Sequence, residues 1–345
     1  MSNTAIVGKV HAMYAHRLKQ NDWDALISCS SVAEVAAYLK SNTAYHTVLN
    51  NDMNDHDVHR GNLENLLHEK LLQEIIRLSR YDLDMGEDTA EYLMEDLEID
   101  QILHAVIRIN SHQTASMVPP NPYLNSRAHF DQHAIDAAST YDQLLDALQH
   151  TRYYKLMQPF RTADGGMENY TGLENALLAD LYTQLYYIID NETHGKEREI
   201  LHEMFDDMIS LENYAWIFRL KSFYPIEKSQ IHDYLLPFGN IPKNKLEQMI
   251  AADTPKQVTA VMRTTRIGKR ALQRPYDAPG DLVIQVRYWE SYKNMFFSSQ
   301  SSVVMLSYIF LMKTELTSLV NLIEGIRYGV SKTDIKRLLN PYKFV

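Results

Sequence analysis

Among the 345 residues, the side chains best spaced to hold a metal ion are His129 and His133, one helical turn apart with Asp131 between them. Two imidazoles at that spacing can share an ion. A structural or catalytic site takes three or four protein ligands, however, and no further ligand follows at a matching interval. His56 and His59 form a second such pair, and in a chain with 14 histidines such spacings arise without purpose. A metal-dependent helical enzyme built on His129, Asp131 and His133 is therefore one functional reading. Other chemistry is sparser. The sequence has no Gly-x4-Gly-Lys-Ser/Thr phosphate loop, no Gly-x-Gly-x-x-Gly turn and no His-Glu-x-x-His string. Cys29 is the sole cysteine, which excludes a disulfide within the chain and fits a reducing compartment. Asp206 and Asp207 are successive residues that a helix would splay by about 100°, better suited to solvation than to paired acid–base work. Nucleotide binding by the chain itself and a cofactor are both unexpected.

The elements that would position such residues are helices, and they repeat. Three segments share one order: a capping hydroxyl with Glu or Gln three residues on, an amphipathic helix, then a threonine followed by tyrosine or glycine. They are Ser31, Glu34, Val35, Leu39, Thr43, Tyr45; Thr140, Gln143, Leu144, Leu148, Thr151, Tyr153; and Thr254, Gln257, Val258, Met262, Thr265, Gly268. Pro255 adds a favoured first helical residue to the third. The caps are 109 and 114 residues apart, far longer than the roughly 20–50 residues of a solenoid repeat. A leucine-rich segment follows the first two copies and, more loosely, Leu282, Val286, Trp289 and Phe296 follow the third, and each unit closes with an apolar residue and an arginine: Ile107-Arg108, Phe218-Arg219 and Ile326-Arg327. The spacing predicts a triplicated chain with units at 1–120, 121–226 and 227–345. Proline-rich joins support those limits, at Pro119-Pro120-Asn121-Pro122 and from Tyr224-Pro225 to Pro242.

The pattern predicts an all-α fold, with helices at about 2–19, 31–42, 61–80, 88–110, 132–150, 171–191, 197–222, 243–252, 254–265, 281–297, 301–329 and 332–340. Only 12 Gly and 11 Pro leave little room for a turn-rich β protein. The N-terminal 20 residues lack the continuous apolar core of a signal peptide. The longest apolar stretch, Val303 to Met312, is shorter than the roughly 20 residues that span a bilayer. Net charge is −10, unevenly spread: residues 231–345 hold 16 Lys plus Arg against 9 Asp plus Glu, leaving 18 against 35 for the rest. Nine carboxylates and no basic residue fall between Asp82 and Asp100, whereas Arg263, Arg266, Lys269, Arg270 and Arg274 form a basic run. Both runs read as solvated helix faces or as oppositely charged surfaces that select different partners. The basic run lacks interleaved aromatics in an acidic chain, so nucleic acid is not the expected partner.

Asn213-Tyr214-Ala215-Trp216-Ile217-Phe218-Arg219-Leu220-Lys221, then Tyr234-Leu235-Leu236-Pro237 with Gly239, and Asn321-Leu322-Ile323-Glu324-Gly325-Ile326-Arg327-Tyr328-Gly329 after Glu315-Leu316 carry a family likeness. So do Asn3 to Tyr14, Tyr38-Leu39-Lys40, and His59-Arg60 with Leu63-Glu64. Together they resemble the C subunit of the prokaryotic V-type (A-type) rotary ATPases, homologous to the d subunit of vacuolar ATPases. The resemblance implies an all-helical, funnel-like body of three similar domains around a pseudo-threefold axis. It implies a non-catalytic socket between the axle subunits of the rotor and the membrane proteolipid ring, on the cytoplasmic side as a peripheral subunit of the membrane complex. Arg108, Arg219, Lys221, Glu324, Arg327 and Tyr328 are the candidate binding residues. The three arginines are expected to pair with carboxylates that fix the units or line a central concavity; an arginine near a helix C-terminus is equally favoured by the helix dipole. Ile102 departs from the pattern, standing where the other units carry Asn213 and Asn321. A general helical scaffold is the remaining alternative.

Overall fold

The computed structural model describes residues 3–49, 60–81, 85–112, 125–223, 226–273, 276 and 278–339. Its helices are α1 (Asn3–Tyr14), α2 (Gln20–Ser28), α3 (Val32–Asn42), α4 (His46–Leu49), α5 (Arg60–Ser79) and α6 (Gly86–Asn110). Next come α7 (Gln132–Ala137), α8 (Tyr141–Leu148), α9 (Arg152–Met157), α10 (Tyr170–Glu192) and α11 (Gly195–Phe223). The chain continues through α12 (Lys243–Ala251), α13 (Pro255–Met262), α14 (Arg266–Ala271), α15 (Pro279–Phe297), α16 (Ser301–Arg327) and α17 (Lys332–Leu338). Among the described residues there is no strand, and the only β-type pairing is one isolated bridge between Arg161 and Met167. The all-helical class is as the sequence predicts. Two compact units emerge: Met1–Glu91 with Ser116–Ala128 and Tyr288–Val345, and Tyr92–Ala115 with His129–Arg287.

The three capping segments form the same local structure. Ser31, Thr140 and Thr254 hydroxyls accept from the backbone N–H of Glu34, Gln143 and Gln257 at 3.2, 3.2 and 3.3 Å. The Glu or Gln reaches back to the N–H of Ser30, Ser139 or Asp253, one residue before the cap, at 2.7, 2.8 and 2.9 Å. Beyond the end of each helix a threonine donates its hydroxyl to a last-turn carbonyl: Thr43 to Leu39, Thr151 to Leu148, Thr265 to Met262. A very short helix then follows, α4, α9 or α14, below the length that periodicity can resolve. The stretch predicted as one helix over 132–150 is two, because Thr140 caps α8 after α7 has ended at Ala137. Likewise the predicted 2–19 helix stops at Tyr14, and α2 starts anew where Asp22 accepts from the Lys19 N–H.

In the unit containing both termini, α16 is the core. It packs on α1, α3 and α5, with Val303 to Leu306, Ile309, Leu319, Leu322 and Ile323 fully buried. This 27-residue helix is long and apolar enough by composition to cross a bilayer, yet 83% of its most apolar window is covered by protein. The Gly325-Ile326-Arg327-Tyr328-Gly329 string is the end of this helix. Gly329 takes φ +66°, and the Val330 and Gly329 amides close back on the Gly325 and Ile326 carbonyls at 2.8 and 3.1 Å. A Cβ on Gly325 would stand 3.0 Å from Ile335 of α17, so glycine there lets the last helix fold back. In the other unit, α11 packs on α10, α13 and α14, and α12 packs on α13.

Gly268 tests how tightly the capped segments are drawn. A Cβ there would meet the Met262 carbonyl oxygen at 1.9 Å, whereas one on Gly8 in α1 would meet nothing within 4 Å. Gly268→Ala is expected to destabilise by about 2–4 kcal/mol, while Gly8→Ala gains up to about 1 kcal/mol from helix propensity. Thermal unfolding of both variants checks the contrast, and equal midpoints would refute it.

Candidate functional site

The residues singled out by sequence do different things. Arg108, near the end of α6, donates to the Ala138 and Ile135 carbonyls at 2.9 and 3.0 Å, closing the C-terminus of α7. Lys221, near the end of α11, donates to the Ile250 carbonyl in the last turn of α12 at 2.7 Å. Lys332, the first residue of α17 and not anticipated from sequence, donates to the Ser28 carbonyl that ends α2 at 2.8 Å. These three cations each satisfy the last turn of a short helix and oppose its negative dipole end. Arg219 and Arg327 are placed differently. Arg219 lies 5.4 Å from the Trp216 ring centroid. Arg327 lies 5.1 Å from the ring of exposed Tyr328 and 4.0 Å from Glu324. The task that Arg108 performs for α7 thus falls, at the ends of α12 and α2, to lysines displaced by a few residues from the matching arginines.

Sequence reasoning missed the carboxylates that hold the short helices to the long ones. Glu315, 4% exposed on α16, accepts from the Leu18 amide and from the Tyr45 hydroxyl, both at 2.9 Å. Glu98, 1% exposed on α6, accepts from the His129 amide and from the Tyr153 hydroxyl, both at 2.6 Å. The design is the same: an acid on a long helix takes one main-chain N–H ahead of a short-helix cluster and one phenol at its end. In the third cluster Ile267 stands where the tyrosine would be. There Asp207 of α11, fully buried, accepts from Arg270 at 2.9 Å, Arg266 at 3.3 Å and the side-chain Nδ2 of Asn240. The available signal was Tyr45 and Tyr153 at matching places in the repeat, since a buried phenol needs an acceptor.

The metal reading meets this arrangement directly. His129 Nδ1 is 3.0 Å from Glu98, and Asp131 is the N-cap of α7, accepting from the His133 amide at 3.0 Å. Among the described residues no group of three or more His, Cys, Asp or Glu could hold one ion. His56 and His59 lie outside the described residues.

Electrostatics follow from burial. Desolvation pushes the Glu315 carboxyl up to about 7, against the Leu18 amide, the Tyr45 hydroxyl and Lys70, which favour the charged form. Tyr45 and Tyr308 are held well above the ordinary tyrosine range by burial and by Glu315 and Glu74 respectively. Tyr308 donates to Glu74, which also pairs with Lys70. In the other unit burial pushes Glu212 up to about 7, opposed chiefly by Arg287. Asn213 of α11 exchanges two hydrogen bonds with the backbone of Leu236, at 2.8 and 3.0 Å, pinning the Tyr234-to-Gly239 loop. Asn321 is exposed and Ile102 is buried and apolar, so that role belongs to Asn213.

Large apolar side chains remain exposed at helix ends: Phe223 closing α11 (75%), Phe297 closing α15 (83%) and Tyr328 after α16 (69%), with Ile107 half-exposed near the end of α6.

Residues 6–338 match the family described as ATP synthase (C/AC39) subunit. The chain is similar to the C subunit of the A-type ATP synthase of Pyrococcus furiosus, 23% identical over 257 residues, 72% of this chain and 67% of the relative. It is also similar to the C subunit of the A-type ATP synthase of Methanosarcina mazei, 28% identical over 128 residues, 37% of this chain and a third (33%) of that relative's length.

The Glu315 joint sets a pH dependence. Between its ordinary 4.5 and about 7 the folded protein holds a proton on Glu315 that the unfolded chain has released. The folded state then binds more protons, and stability falls as pH rises through that window, by at most about 1.4 kcal/mol per pH unit for one proton. Glu315→Gln, which stays neutral, is expected to flatten part of the fall, with Glu212 and the likewise burial-raised Glu174 and Asp136 contributing to what is left. Glu315→Ala is expected to cost about 2–4 kcal/mol throughout by orphaning the Leu18 amide and the Tyr45 hydroxyl. Urea midpoints from about pH 4.5 to 8 check both; an unchanged slope in Glu315→Gln would rule the linkage out.

Proposed function

The chain belongs to the ATP synthase (C/AC39) subunit family, and on that premise we propose that it is a non-catalytic central-stalk subunit of a V-type or A-type rotary ATPase. It acts as a socket: one face grips the axle subunits of the rotor, another seats on the membrane proteolipid ring, and torque passes through it while other subunits handle ATP. The outcome is ATP-driven H⁺ or Na⁺ transport, or ATP synthesis. It works at the cytoplasmic side, as a peripheral subunit of the membrane complex, and binds no nucleotide itself.

The observation that carries this reading is the set of buried-acid joints. Glu98, Asp207 and Glu315 each pin a cluster of short helices to a long helix. A part that transmits torque needs elements that resist sliding, and a buried carboxylate with fixed donors resists it because a shift by one turn strands every partner. The same joints favour three similar bodies around a pseudo-threefold axis. The short helices of the second and third repeats dock on the long helix that precedes them, while those of the first dock on α16, the long helix of the last. That cyclic order of docking is the one expected of a closed triplicate. The exposed Phe223, Phe297 and Tyr328 supply apolar anchors of the kind that interfaces bury.

Complexes assembled without the chain are expected to keep ATP hydrolysis by the soluble head and lose ATP-driven ion transport, with purified chain restoring the latter. Transport that persists at full rate without it would overturn the proposal. Tyr328→Ala and Phe297→Asp are expected to weaken reassembly at least about tenfold, a loss of about 1.4 kcal/mol, while leaving the thermal midpoint of the isolated chain unchanged.

A further inference from the structure

An open groove of about 800 Å³ runs between the last turns of α11 and helix α13. Phe218, Pro255, Thr259 and Ala260 form a largely apolar floor, and Lys256 and Arg263 stand on the rim. The polar groups of the floor are already satisfied. Thr259 donates to the Pro255 carbonyl at 3.0 Å and meets the Tyr214 hydroxyl at 2.9 Å. The N-terminal amides of α13 are capped by Thr254 and Gln257, so the helix end is spent within the chain. The rim is different. Neither Lys256 nor Arg263 has a carboxylate partner among the described residues, and no carboxylate lines the groove. The nearest acid in sequence, Asp253, is committed to Lys228 at 2.7 Å. Arg266 and Arg270, the neighbouring arginines of the basic run, are turned onto Glu203 and Asp207. Arg263 is left facing outward with Lys256.

We propose that this groove is a docking site for an amphipathic helix of another subunit of the complex, one that sets an apolar side chain on the floor and two carboxylates against Lys256 and Arg263. The two cations are seven residues apart, Lys256 in the first turn of α13 and Arg263 at its C-cap, close to two helical turns or about 10 Å. A helix lying along α13 with acids at i and i+7 and an apolar residue between them at i+3 or i+4 matches that spacing, in the manner of helix-in-groove recognition. Apolar burial supplies affinity and the charge pairs set register. The inference rests on the function proposed above only in drawing the occupant from the assembled complex.

Zero-length carbodiimide coupling in the purified complex tests it, because an amide forms only where a lysine touches a carboxylate. Mass spectrometry is expected to find Lys256 joined to an Asp or Glu of a peptide from another subunit. Acetylation of Lys256 is expected to fall at least about fivefold between the isolated chain and the complex. The double variant Lys256→Glu with Arg263→Glu, both on the surface, is expected to weaken assembly at least about tenfold with an unchanged thermal midpoint, and Ala260→Trp is expected to do so by filling the floor. If the chain copurifies with rotor subunits but Lys256 reacts equally in both states, the groove is empty and this inference fails while the central-stalk reading stands. If Lys256 is protected instead by vesicles of anionic phospholipid alone, the occupant is a membrane surface and the inference is likewise overturned. Failure of the chain to copurify with rotor subunits removes both.

Discussion

The carboxylate buried between a tyrosine hydroxyl and a main-chain amide is the constraint on which the rest of the architecture depends. An acid in the middle of a long helix, out of water, is costly unless its oxygens find hydrogen-bond donors. Glu98 and Glu315 find them in one N–H ahead of a short-helix cluster and one phenol behind it, so both ends of the cluster are referenced to one point. A lysine or arginine further along then secures the last turn of the first short helix. The cluster is held at three places by polar contacts with strict geometry, and apolar packing of Leu26, Val35, Leu39 or their counterparts fills the space between. Leucine-on-leucine contact alone would tolerate a slip along the helix; this arrangement does not.

What the sequence revealed and what it concealed divide along sequence separation. Capping boxes and terminating threonines act within four or five residues and were readable in type and place, whereas the Gly329 turn that ends α16 fell inside the helix predicted to 329. The acids are 55 and 270 residues from their tyrosines, and nothing local marks them. They also sit in misleading company. Glu95 and Glu98 belong to the acidic run between Asp82 and Asp100, which reads as a solvated face, yet Glu95 pairs with Arg152 and Glu98 is almost wholly buried. The basic run divides similarly: Arg266 and Arg270 turn inward to Asp207, and Arg263 remains at the groove. Charge density along a sequence marks where ionic contacts form, and only the packing decides whether they form with water, with the chain itself or with a partner.

The arginines teach a related lesson. Equivalent positions counted from the ends of the long helices placed Arg108, Arg219 and Arg327 in one class, but a cation on a long flexible stem fulfils its role from any of several positions. Lys221 and Lys332 reach the same kind of carbonyl that Arg108 reaches. Recurring chemistry at drifting positions is expected where the target is a helix end, since the dipole field accepts any cation within the last turn.

The joints also impose an order of assembly. Two of the clusters dock on helices already made when they emerge, α6 for α7 to α9 and α11 for α12 to α14. The first cluster must wait for α16, with Leu18 and Tyr45 separated from Glu315 by 297 and 270 residues. Until then α5, whose Lys70 lies 5.1 Å from the Tyr45 ring, is the one long helix against the first cluster, and α16 itself is an apolar rod without a sheath. Contacts of such separation form late because the loop entropy is spent before they contribute. The segment least stable alone is therefore the one that completes the unit holding both ends of the chain. An acid that becomes easier to bury as it takes up a proton is well suited to that last step, because docking and neutralisation of Glu315 favour each other.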